Sequence, residues 1–265
     1  MDDPRKYLDD LRLAHYLADL ADDLTMKRFG AVDLQVEAKP DLTLVSDADR
    51  AVEDMIRNHL ATSRSRDAVV GEERGATGSS RRQWIIDPID GTHNFVRGVP
   101  VWATLIALVE DGDVVVGLVS APALHRRWWA ATGLGAHTGT SLQRCRQIHV
   151  SKVRHLDEAF LSYSSLDGWL EADRGREFLR LQSSCWRTRA FGDFWSYMLV
   201  AEGAVDLACE PELALYDMAA LVPIVREAGG RFTSLEGEEG PWGANGLATN
   251  GHLHEAVLAA LTVTE

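Results

Sequence analysis

The segment 87–92 reads Asp-Pro-Ile-Asp-Gly-Thr and places two carboxylates three residues apart at the end of an apolar run. Hard cations such as Mg²⁺ bind oxygen ligands, usually one or two carboxylates together with water and phosphate. Asp87, Asp90 and the carbonyl of Ile89 could provide such oxygens. If a helix begins near Thr92, its unpaired amides would favour an anion, and Gly91 would let the backbone approach it. The segment predicts a metal beside a phosphate, although a capped turn explains it equally well when it is taken alone.

The residues before these acids predict how they are held. Trp84-Ile85-Ile86 is typical of a buried strand. Pro88 has no amide hydrogen and cannot continue a hydrogen-bonded ladder. We therefore expect the strand to end where the carboxylates begin.

Further acids lie at other predicted element boundaries. Val69-Val70 predicts a strand that leads into Glu72, and Asp217 is expected to precede a helix that runs toward Gly229-Gly230. One such acid is more often a helix cap or a solvated charge than a ligand. Several together favour a multi-metal site built from separate segments of the chain. The additional acidic clusters are Asp41 to Asp47, Gly71-Glu72-Glu73 and Tyr216-Asp217.

In their order and spacing these motifs resemble the inositol monophosphatase family, a group of magnesium-dependent, lithium-sensitive phosphatases. The resemblance covers nearly the whole chain and is carried by the segments 39–47, 71–73, 84–95 and 217–230. It implies an α/β fold, a five-layer αβαβα sandwich with mixed sheets, and a homodimer. Three longer stretches look most like the histidinol-phosphate phosphatase branch of this family, as found in actinobacteria: 97–108, 124–131 and 186–210.

The resemblance also implies the metal ligands. Glu72, Asp87 and the Ile89 carbonyl would hold one ion, and Asp87, Asp90 and Asp217 would hold a second. Two or three Mg²⁺ per site are implied, with Mn²⁺ as an alternative. Three departures from the family's pattern remove no predicted ligand: Thr43, His93 and Tyr216.

The remaining implied roles concern water and phosphate. Thr92 and Glu72 would orient the attacking water, and Asp47 would support Thr92. The amides of Gly91 and Thr92 would receive phosphate oxygens. Phosphate monoester hydrolysis is extremely slow in water and needs charge neutralisation more than covalent help. Two metal ions about 3.5–4 Å apart can supply it, so no nucleophilic side chain is required.

The leaving group would be recognised by other residues. Histidinol phosphate carries an amine and an imidazole that can both be cationic, so its pocket should offer acids beyond the metal ligands. Asp193 and Glu210 are the candidates, although a helix cap and a strand-end charge explain them equally well. Arg189 could bind a hydroxyl or pair with an acid.

Two other functions stay open. An inositol-1-phosphatase, or a broader sugar or nucleotide phosphatase, would use the same core. A catalytically silent, metal-binding interaction protein could also be built on this fold. The intact set of acids and Thr92 argues against the silent protein.

Composition agrees with an enzyme of one catalytic unit over 1–265, with a metal and phosphate half near 1–150 and a substrate half near 151–265. The chain has 265 residues, is 46% hydrophobic and has a formal net charge of -13. This charge argues against nucleic-acid binding and requires bound cations before an anionic ester is attracted. No apolar stretch reaches the ~20 residues of a membrane span. With no basic region and signal core at the N-terminus, we expect a cytoplasmic protein with no membrane partner.

The cysteines and tryptophans indicate no further chemistry. Cys145, Cys185 and Cys209 lack metal-type spacing and are predicted to be buried thiols in a reducing compartment. Internal packing is the main expectation for the tryptophans, with a subunit interface as an alternative for some of them. These tryptophans are Trp169, Trp186 and Trp195.

Local patterns predict the remaining elements. An amphipathic helix from Tyr7 should end near Gly30, and Asp111-Gly112 should join two antiparallel strands. Pro223 should kink the last long helix unless that helix begins later. Other predictions are strands at 128–129, 160–163 and near 207, a helix over 193–201, a loop punctuated by Gly133, Gly135 and Gly139, and exposed mobile loops at 64–67 and 76–80.

Overall fold

The helices and strands alternate irregularly along the chain. The computed structural model describes residues 6–39 and 43–262, so Asp41 and Leu42 of the first acidic cluster lie outside the described residues. The helices are α1 Leu8–Arg28, α2 Asp47–Ser63, α3 Thr92–Arg97, α4 Leu166–Glu171, α5 Gly175–Ser184, α6 Asp193–Ala201, α7 Leu215–Met218, α8 Leu221–Glu227 and α9 His254–Thr262. The strands are β1 Val36–Ala38, β2 Leu44–Ser46, β3 Ala68–Gly71, β4 Gly75–Thr77, β5 Arg82–Asp90, β6 Ala103–Glu110, β7 Asp113–Ala121, β8 Arg126–Ala131, β9 Ala136–Ser141, β10 Arg144–Gln147, β11 Phe160–Ser162, β12 Arg187–Arg189, β13 Leu207–Glu210, β14 Arg231–Thr233 and β15 Gly246–Thr249.

Two mixed sheets dominate the fold. The larger one has eight strands in the order β10-β9-β8-β7-β6-β5-β3-β4, and the smaller has five in the order β12-β11-β13-β15-β14. Strand β3 is parallel to β5, and β11 is parallel to both β12 and β13. The remaining pairs of both sheets are antiparallel. The prediction of mixed sheets is confirmed.

The side chains of the sheets separate into layers because successive strand residues point to opposite faces. Trp84 and Ile86 of β5 lie in one core with α1 and α2, whereas Ile85 between them lies in another core with α6 and α8. This second core also contains Phe232 and Ala248 of the smaller sheet. The opposite face of the smaller sheet packs against α4, α5 and α9. The order is α, β, α, β, α, as the resemblance implied.

Helix α2 begins with a hydrogen-bonded cap at its first turn. The Oγ of Ser46 accepts the amide of Ala48 (3.2 Å), and Asp49 accepts the amide and hydroxyl of Ser46 (2.8 and 2.6 Å). This capping box satisfies orphan donors at the helix start. Val52 and Ile56 then bury one face of the helix against β5.

Other local predictions are confirmed. Helix α1 buries Leu11 and Leu17 and ends at Arg28, close to the expected Gly30. Asp111 and Gly112 both have positive φ (53° and 90°), the geometry of a tight hairpin turn between β6 and β7. The predicted strands at 128–129, 160–163 and near 207 and the helix over 193–201 are also present.

The end of β5 differs from the prediction. The strand continues through Pro88 to Asp90, and its pairing with β6 is irregular between Asp87 and Asp90. Pro88 lies inside this irregularity, where the pairing with β6 does not need a backbone N–H from residue 88. The Pro88 carbonyl accepts a hydrogen bond from the hydroxyl of Thr104 (2.8 Å). The carboxylates therefore lie on the last residues of a strand rather than after it.

The helix after Asp217 also differs. Asp217 lies within the short α7, and a separate helix, α8, begins at Leu221. Pro223 is the third residue of α8, in the first turn, where an amide has no intrahelical partner. The helix thus begins late enough to accommodate proline, and Gly229 follows its end with φ 92°.

Two loop predictions and part of the cysteine prediction are wrong. Gly139 lies inside β9 and not in a loop. The paired strand approaches so closely that a Cβ on residue 139 would lie 2.2 Å from the Arg144 carbonyl oxygen, and glycine permits this approach. Ala76 belongs to β4, which pairs with β3, so 76–80 is not wholly a loop. Cys209 is buried, but Cys145 is exposed at the hairpin of β9 and β10 and Cys185 is half-buried at the end of α5.

Burial divides the tryptophans considered for an interface. Trp169 is fully buried and stacks on Phe178, with ring centroids 4.7 Å apart. Trp195 is half-buried against Phe191, whereas Trp186 is 64% exposed. A membrane-spanning segment would need a longer and more apolar helix than any found in residues 6–39 and 43–262.

Candidate metal and phosphate site

Three carboxylates from separate elements converge at the end of β5. Asp87 and Asp90 come from β5 and Asp217 comes from α7. One oxygen of each can be chosen so that all three oxygens lie within 4.8 Å of one another. Asp87 is 2% exposed, and the other two are half-buried. The structure brings together all three carboxylates predicted to share the second metal ion.

Backbone amides hold each of these carboxylates in place. The Oδ1 of Asp87 accepts the amide of Ile89 (3.0 Å), and the Oδ2 of Asp217 accepts the amide of Ala214 (2.8 Å). The Oδ2 of Asp90 accepts the amide of Phe194 in α6 (2.8 Å). Since each acid is held by main-chain atoms, its position depends on the fold and not on a mobile partner.

Glu72 lies beside this cluster. It follows β3, which is parallel to β5 with Gly71 opposite Ile86, so Glu72 comes next to Asp87 of β5. The Nζ of Lys39 lies 2.6 Å from Glu72 Oε1 and 2.6 Å from an oxygen of Glu73. The sequence reasoning did not identify Lys39 as a partner of these acids.

Burial and mutual repulsion disfavour the charged forms of these acids. Burial, followed by the charges of Glu72 and Asp90, raises the pKa of Asp87 well above its usual range. Burial, followed by the charges of Asp193 and Asp217, does the same to the pKa of Asp90. Burial also raises the pKa of Glu72 to about 7 and that of Asp217 to about 6.

A divalent cation fits this cluster. Carboxylates crowded in a half-buried site repel one another, and a bound cation would reverse the local field and stabilise their ionised forms. An oxygen-only set of ligands suits a hard cation better than a soft metal. The residues present can therefore bind a metal ion.

The predicted phosphate-binding turn precedes α3. Gly91 has φ 83°, a conformation that favours glycine, and α3 begins at Thr92. The hydroxyl of Thr92 lies 2.9 Å from the Ile89 carbonyl and 3.3 Å from Asp49 Oδ1. The Ile89 carbonyl, a predicted metal ligand, thus also accepts a hydrogen bond.

Asp49 occupies the place that was predicted for Asp47. Asp49 is the third residue of α2, is fully buried and lies next to Thr92. Asp47 instead pairs with Arg28 (2.7 Å), and its side chain is 38% exposed. Two residues along a helix turn the side chain by more than half of a revolution, so only one of the two can face Thr92. The capping-box spacing from Ser46 to Asp49 was the signal that could have identified the correct aspartate.

Asn94 is a site residue that the sequence reasoning missed. Its Nδ2 donates to the Val101 carbonyl (2.9 Å) and to Asp193 Oδ2 (3.0 Å). Asp193 begins α6 and has a positive φ of 48°. Asn94 therefore links the helix after the metal cluster to one of the predicted substrate residues.

Glu210 lies at the end of β13 and is 7% exposed. Burial, followed by the charge of Asp193, raises the pKa of Glu210 well above its usual range. Hydrogen bonding to the nearby Tyr197 and Ser164 hydroxyls opposes this rise in pKa. Glu210 lines a cavity of about 250 Å³ together with Ser164, Ser165, Gly168, Pro211 and Glu212. A buried acid thus borders a cavity.

Among the described residues, no contact links Arg189 to the acidic cluster. It is exposed at the end of β12, and its Nη1 donates to the adjacent Thr188 carbonyl (2.7 Å). A larger depression of about 530 Å³ lies at the hairpin of β9 and β10 and contains none of the predicted site residues. The site is therefore best defined by its charged groups rather than by cavity size.

Comparisons with known proteins agree with this geometry. Residues 10–264 match the model of the inositol monophosphatase family. A histidinol-phosphatase from Streptomyces coelicolor is 60% identical over 259 residues, which cover 96% of this chain and 97% of that protein. A histidinol-phosphatase from Mycobacterium tuberculosis is 58% identical over 254 residues, which cover 96% of this chain and 98% of that protein. An inositol monophosphatase structure from Zymomonas mobilis superposes with a TM-score of 0.85 at 34% identity and covers 97% of this chain and 99% of that one.

The family match spans almost the whole chain and includes every described acid of the cluster. The layered sheets, the three converging aspartates and these relatives lead to one assignment. The chain belongs to the inositol monophosphatase family.

Proposed function

We propose that this chain is a Mg²⁺-dependent phosphomonoesterase that hydrolyses L-histidinol phosphate to L-histidinol and phosphate, a step of histidine biosynthesis. The observation that carries the proposal is the convergence of Asp87, Asp90 and Asp217 next to Glu72 and the start of α3. The substrate is supported by the two relatives named histidinol-phosphatase at 60% and 58% identity.

Bound Mg²⁺ would supply the charge neutralisation and the acidification of water that this chemistry needs. Asp87, Asp90 and Asp217 would hold the cations, with Glu72 and the Ile89 carbonyl as additional ligands. The amides of Gly91 and Thr92 would bind phosphate oxygens at the start of α3. The number of ions per site and their identity as Mg²⁺ or Mn²⁺ belong to the proposal.

Thr92 and Glu72 can orient the attacking water. The hydroxyl of Thr92 has two acceptors as neighbours, the Ile89 carbonyl and Asp49, so its hydrogen is used internally. Its lone pairs are then available to accept a hydrogen bond from water. As a carboxylate, Glu72 can accept a hydrogen bond from the same water.

Acids near the leaving group would favour a cationic alcohol. Asp193 and Glu210 lie close enough for the charge of Asp193 to raise the pKa of Glu210, behind burial as the larger cause. The amine and imidazole of histidinol would place positive charge beside these two carboxylates. This arrangement favours histidinol phosphate over an ester of an uncharged polyol.

The decisive experiment measures Mg²⁺-dependent phosphate release from histidinol phosphate beside inositol 1-phosphate, fructose 1,6-bisphosphate and adenosine 3′,5′-bisphosphate. We expect a strong preference for histidinol phosphate. Glu210→Gln should lower kcat/KM for histidinol phosphate by on the order of tenfold to a hundredfold, because a charged hydrogen bond contributes about 1.5–3 kcal/mol. It should change the hydrolysis of an uncharged alcohol phosphate little.

The outcomes separate the alternatives. Preference for another ester would keep the metal chemistry and reject histidinol phosphate in favour of an inositol, sugar or nucleotide phosphatase. Metal binding without phosphate release from any ester would reject the enzyme and support an interaction protein. The homodimer, the cytoplasmic location, the two halves of the catalytic unit and the role of Arg189 stay predictions.

A further inference from the structure

Glu53 is a buried carboxylate outside the acidic cluster. It lies on α2 with 0% exposure. A buried charge is costly unless it is paired and hydrogen-bonded. Arg57, one turn later on α2, donates its Nε to Glu53 Oε1 at 2.7 Å. The ion pair accounts for part of the hydrogen-bonding capacity of this carboxylate.

The remaining hydrogen bonds go to the turn between β3 and β4. The amide of Glu73 donates to Glu53 Oε2 (2.7 Å), and the amide of Arg74 donates to Glu53 Oε1 (3.0 Å). These two amides belong to successive residues directly after Glu72. Both oxygens of one carboxylate therefore hold the backbone of the turn that carries Glu72.

Gly71 shows how closely the carboxylate fits. A Cβ on Gly71 would lie 2.2 Å from Glu53 Oε1 and 2.3 Å from its Cδ, far inside any normal contact. Gly71 is not among the glycines with positive φ, so backbone conformation does not require glycine here. The requirement is space, because Glu53 occupies the volume that a side chain would need.

Among the described residues, the main chain of Glu72 is attached to the neighbouring strand β5 by one hydrogen bond. Its amide donates to the Ile86 carbonyl of β5 at 3.3 Å, a long hydrogen bond. We propose that Glu53 is a positioning residue that fixes the Glu72 carboxylate within reach of the metal cluster. This inference rests on the proposed function, because Glu72 is a metal ligand only in that proposal.

Glu53 could instead serve the stability of the hairpin alone. Either role would lower the free energy of unfolding when Glu53 is replaced. Only the positioning role changes the metal affinity of a variant that has folded normally. Metal affinity and thermal stability must therefore be measured separately.

The test is titration calorimetry of Mg²⁺ and Mn²⁺ into the full metal-free chain, with thermal unfolding of the same samples. Glu53→Gln keeps the size but replaces one acceptor with an NH₂ group that would face a backbone amide. It should weaken metal binding by on the order of tenfold to a hundredfold, as for other groups that orient metal ligands. Glu53→Asp keeps the charge on a shorter stem and should weaken binding in the same direction.

Asp54→Ala is the matched control. Asp54 is the next residue of α2 and pairs with the Arg74 side chain at the surface (2.9 and 2.7 Å). Its removal disturbs the same helix and the same turn without touching the Glu73 and Arg74 amides. We expect native metal affinity in this variant.

A double-mutant cycle tests the steric part of the inference. Gly71→Ala should displace Glu53 and weaken metal binding in the native background. In a Glu53→Ala background the space is vacant, so Gly71→Ala should cause little further loss. Additive losses would overturn the inference.

The remaining outcomes are distinct. Native metal affinity in folded Glu53→Gln overturns the positioning role and leaves the proposed function intact. Failure of both Glu53→Gln and Glu53→Asp to fold, with Asp54→Ala folded, assigns Glu53 to the fold alone and also overturns it. Absence of metal binding by the unsubstituted chain overturns the proposed function itself.

Discussion

Asp47 and Asp49 differ by two positions but have different surroundings. Asp49 is buried at the start of α2 and reaches Ser46 and Thr92. Asp47 is half-buried and pairs with Arg28 instead. Asp49 is therefore the aspartate that can support Thr92. Asp47 provides a nearby control for substitutions at Asp49.

Replacing Asp49 should cost both activity and stability, whereas replacing Asp47 should cost little activity. We expect Asp49→Asn to lower kcat at least about tenfold, because small displacements of a catalytic group can cost up to about a hundredfold. Loss of the capping box should destabilise the fold by about 1 kcal/mol. Asp47→Asn weakens a part-buried ion pair with Arg28 that does not involve Thr92, so any loss should appear in stability and not in kcat. Steady-state kinetics and urea unfolding of both variants provide the comparison, and a larger loss of kcat in Asp47→Asn would refute the assignment.

At the scale of elements, the short helix α3 is bounded by two glycines in left-handed conformations. Gly91 precedes it with φ 83° and Gly98 follows it with φ 73°. A Cβ on Gly91 would lie 3.0 Å from the Val101 carbonyl and 3.1 Å from Asp193 Oδ2. A Cβ on Gly98 would have no neighbour within 4 Å. Both positions need a residue that tolerates positive φ, but only Gly91 is packed closely against residues of the site.

Alanine at these two glycines separates the two effects. Gly98→Ala should destabilise the protein by about 1–2 kcal/mol, the cost of the left-handed conformation, and leave kcat nearly unchanged. Gly91→Ala should cost more and lower kcat, since Asp193 and the turn before Thr92 must move. Thermal unfolding and initial rates with saturating metal measure both quantities. Equal effects of the two substitutions on kcat would contradict this account of the turn.

The whole molecule concentrates negative charge at one place in its fold. The formal net charge is -13, and Glu72, directly after β3, lies beside the acids of β5 and α7. Burial and mutual repulsion keep protons on these groups when no metal is bound. Metal binding, proton release and stability should therefore be linked.

Protons held by Glu72 and Asp217 should make stability without metal fall as the pH rises, against the opposite effect of His15 and His254, whose pKa values burial lowers to about 4. Glu72 and Asp217 have pKa values raised to about 7 and about 6 from ordinary values of 4.5 and 3.8. Between about pH 4 and 7 the folded chain thus holds protons that the unfolded chain has released, so rising pH favours unfolding. Urea unfolding of the chelator-treated protein and of its Glu72→Gln variant across this range separates the effect of the cluster from that of the two histidines.

The same linkage predicts that Mg²⁺ affinity rises across pH 5–7 and that binding releases protons, because the ligands must be ionised. Calorimetry in two buffers with different ionisation heats counts these protons. Exposed acids away from the cluster should contribute little to the pH dependence of Mg²⁺ affinity. The Asp54→Ala variant should therefore show the same pH dependence as the unsubstituted chain. A metal affinity independent of pH would contradict the linkage.

Much of the site could be predicted from the sequence because its parts are local. The spacing of Asp87 and Asp90, the strand at Trp84 to Ile86 and the helix after Gly91 depend on neighbouring residues, and the structure has all three, although the strand extends through the two aspartates. The turn at Asp111 and the cap at Ser46 were predictable for the same reason. Periodicity and turn chemistry act over a few residues and need no knowledge of the partner segments.

Other features were decided only by tertiary structure. Pro88 lies within a strand because β6 meets it at an irregular register, and Gly139 lies in a strand because β10 approaches closely. Asp49 rather than Asp47 faces Thr92 because α2 packs with that face toward α3 and β5. Glu53 and Lys39 reach the turn at Glu72 across 20 and 33 residues of sequence. Local sequence thus specifies which chemical groups and short elements are present. Packing specifies which groups meet, because contacts between distant segments depend on how whole elements pack against one another.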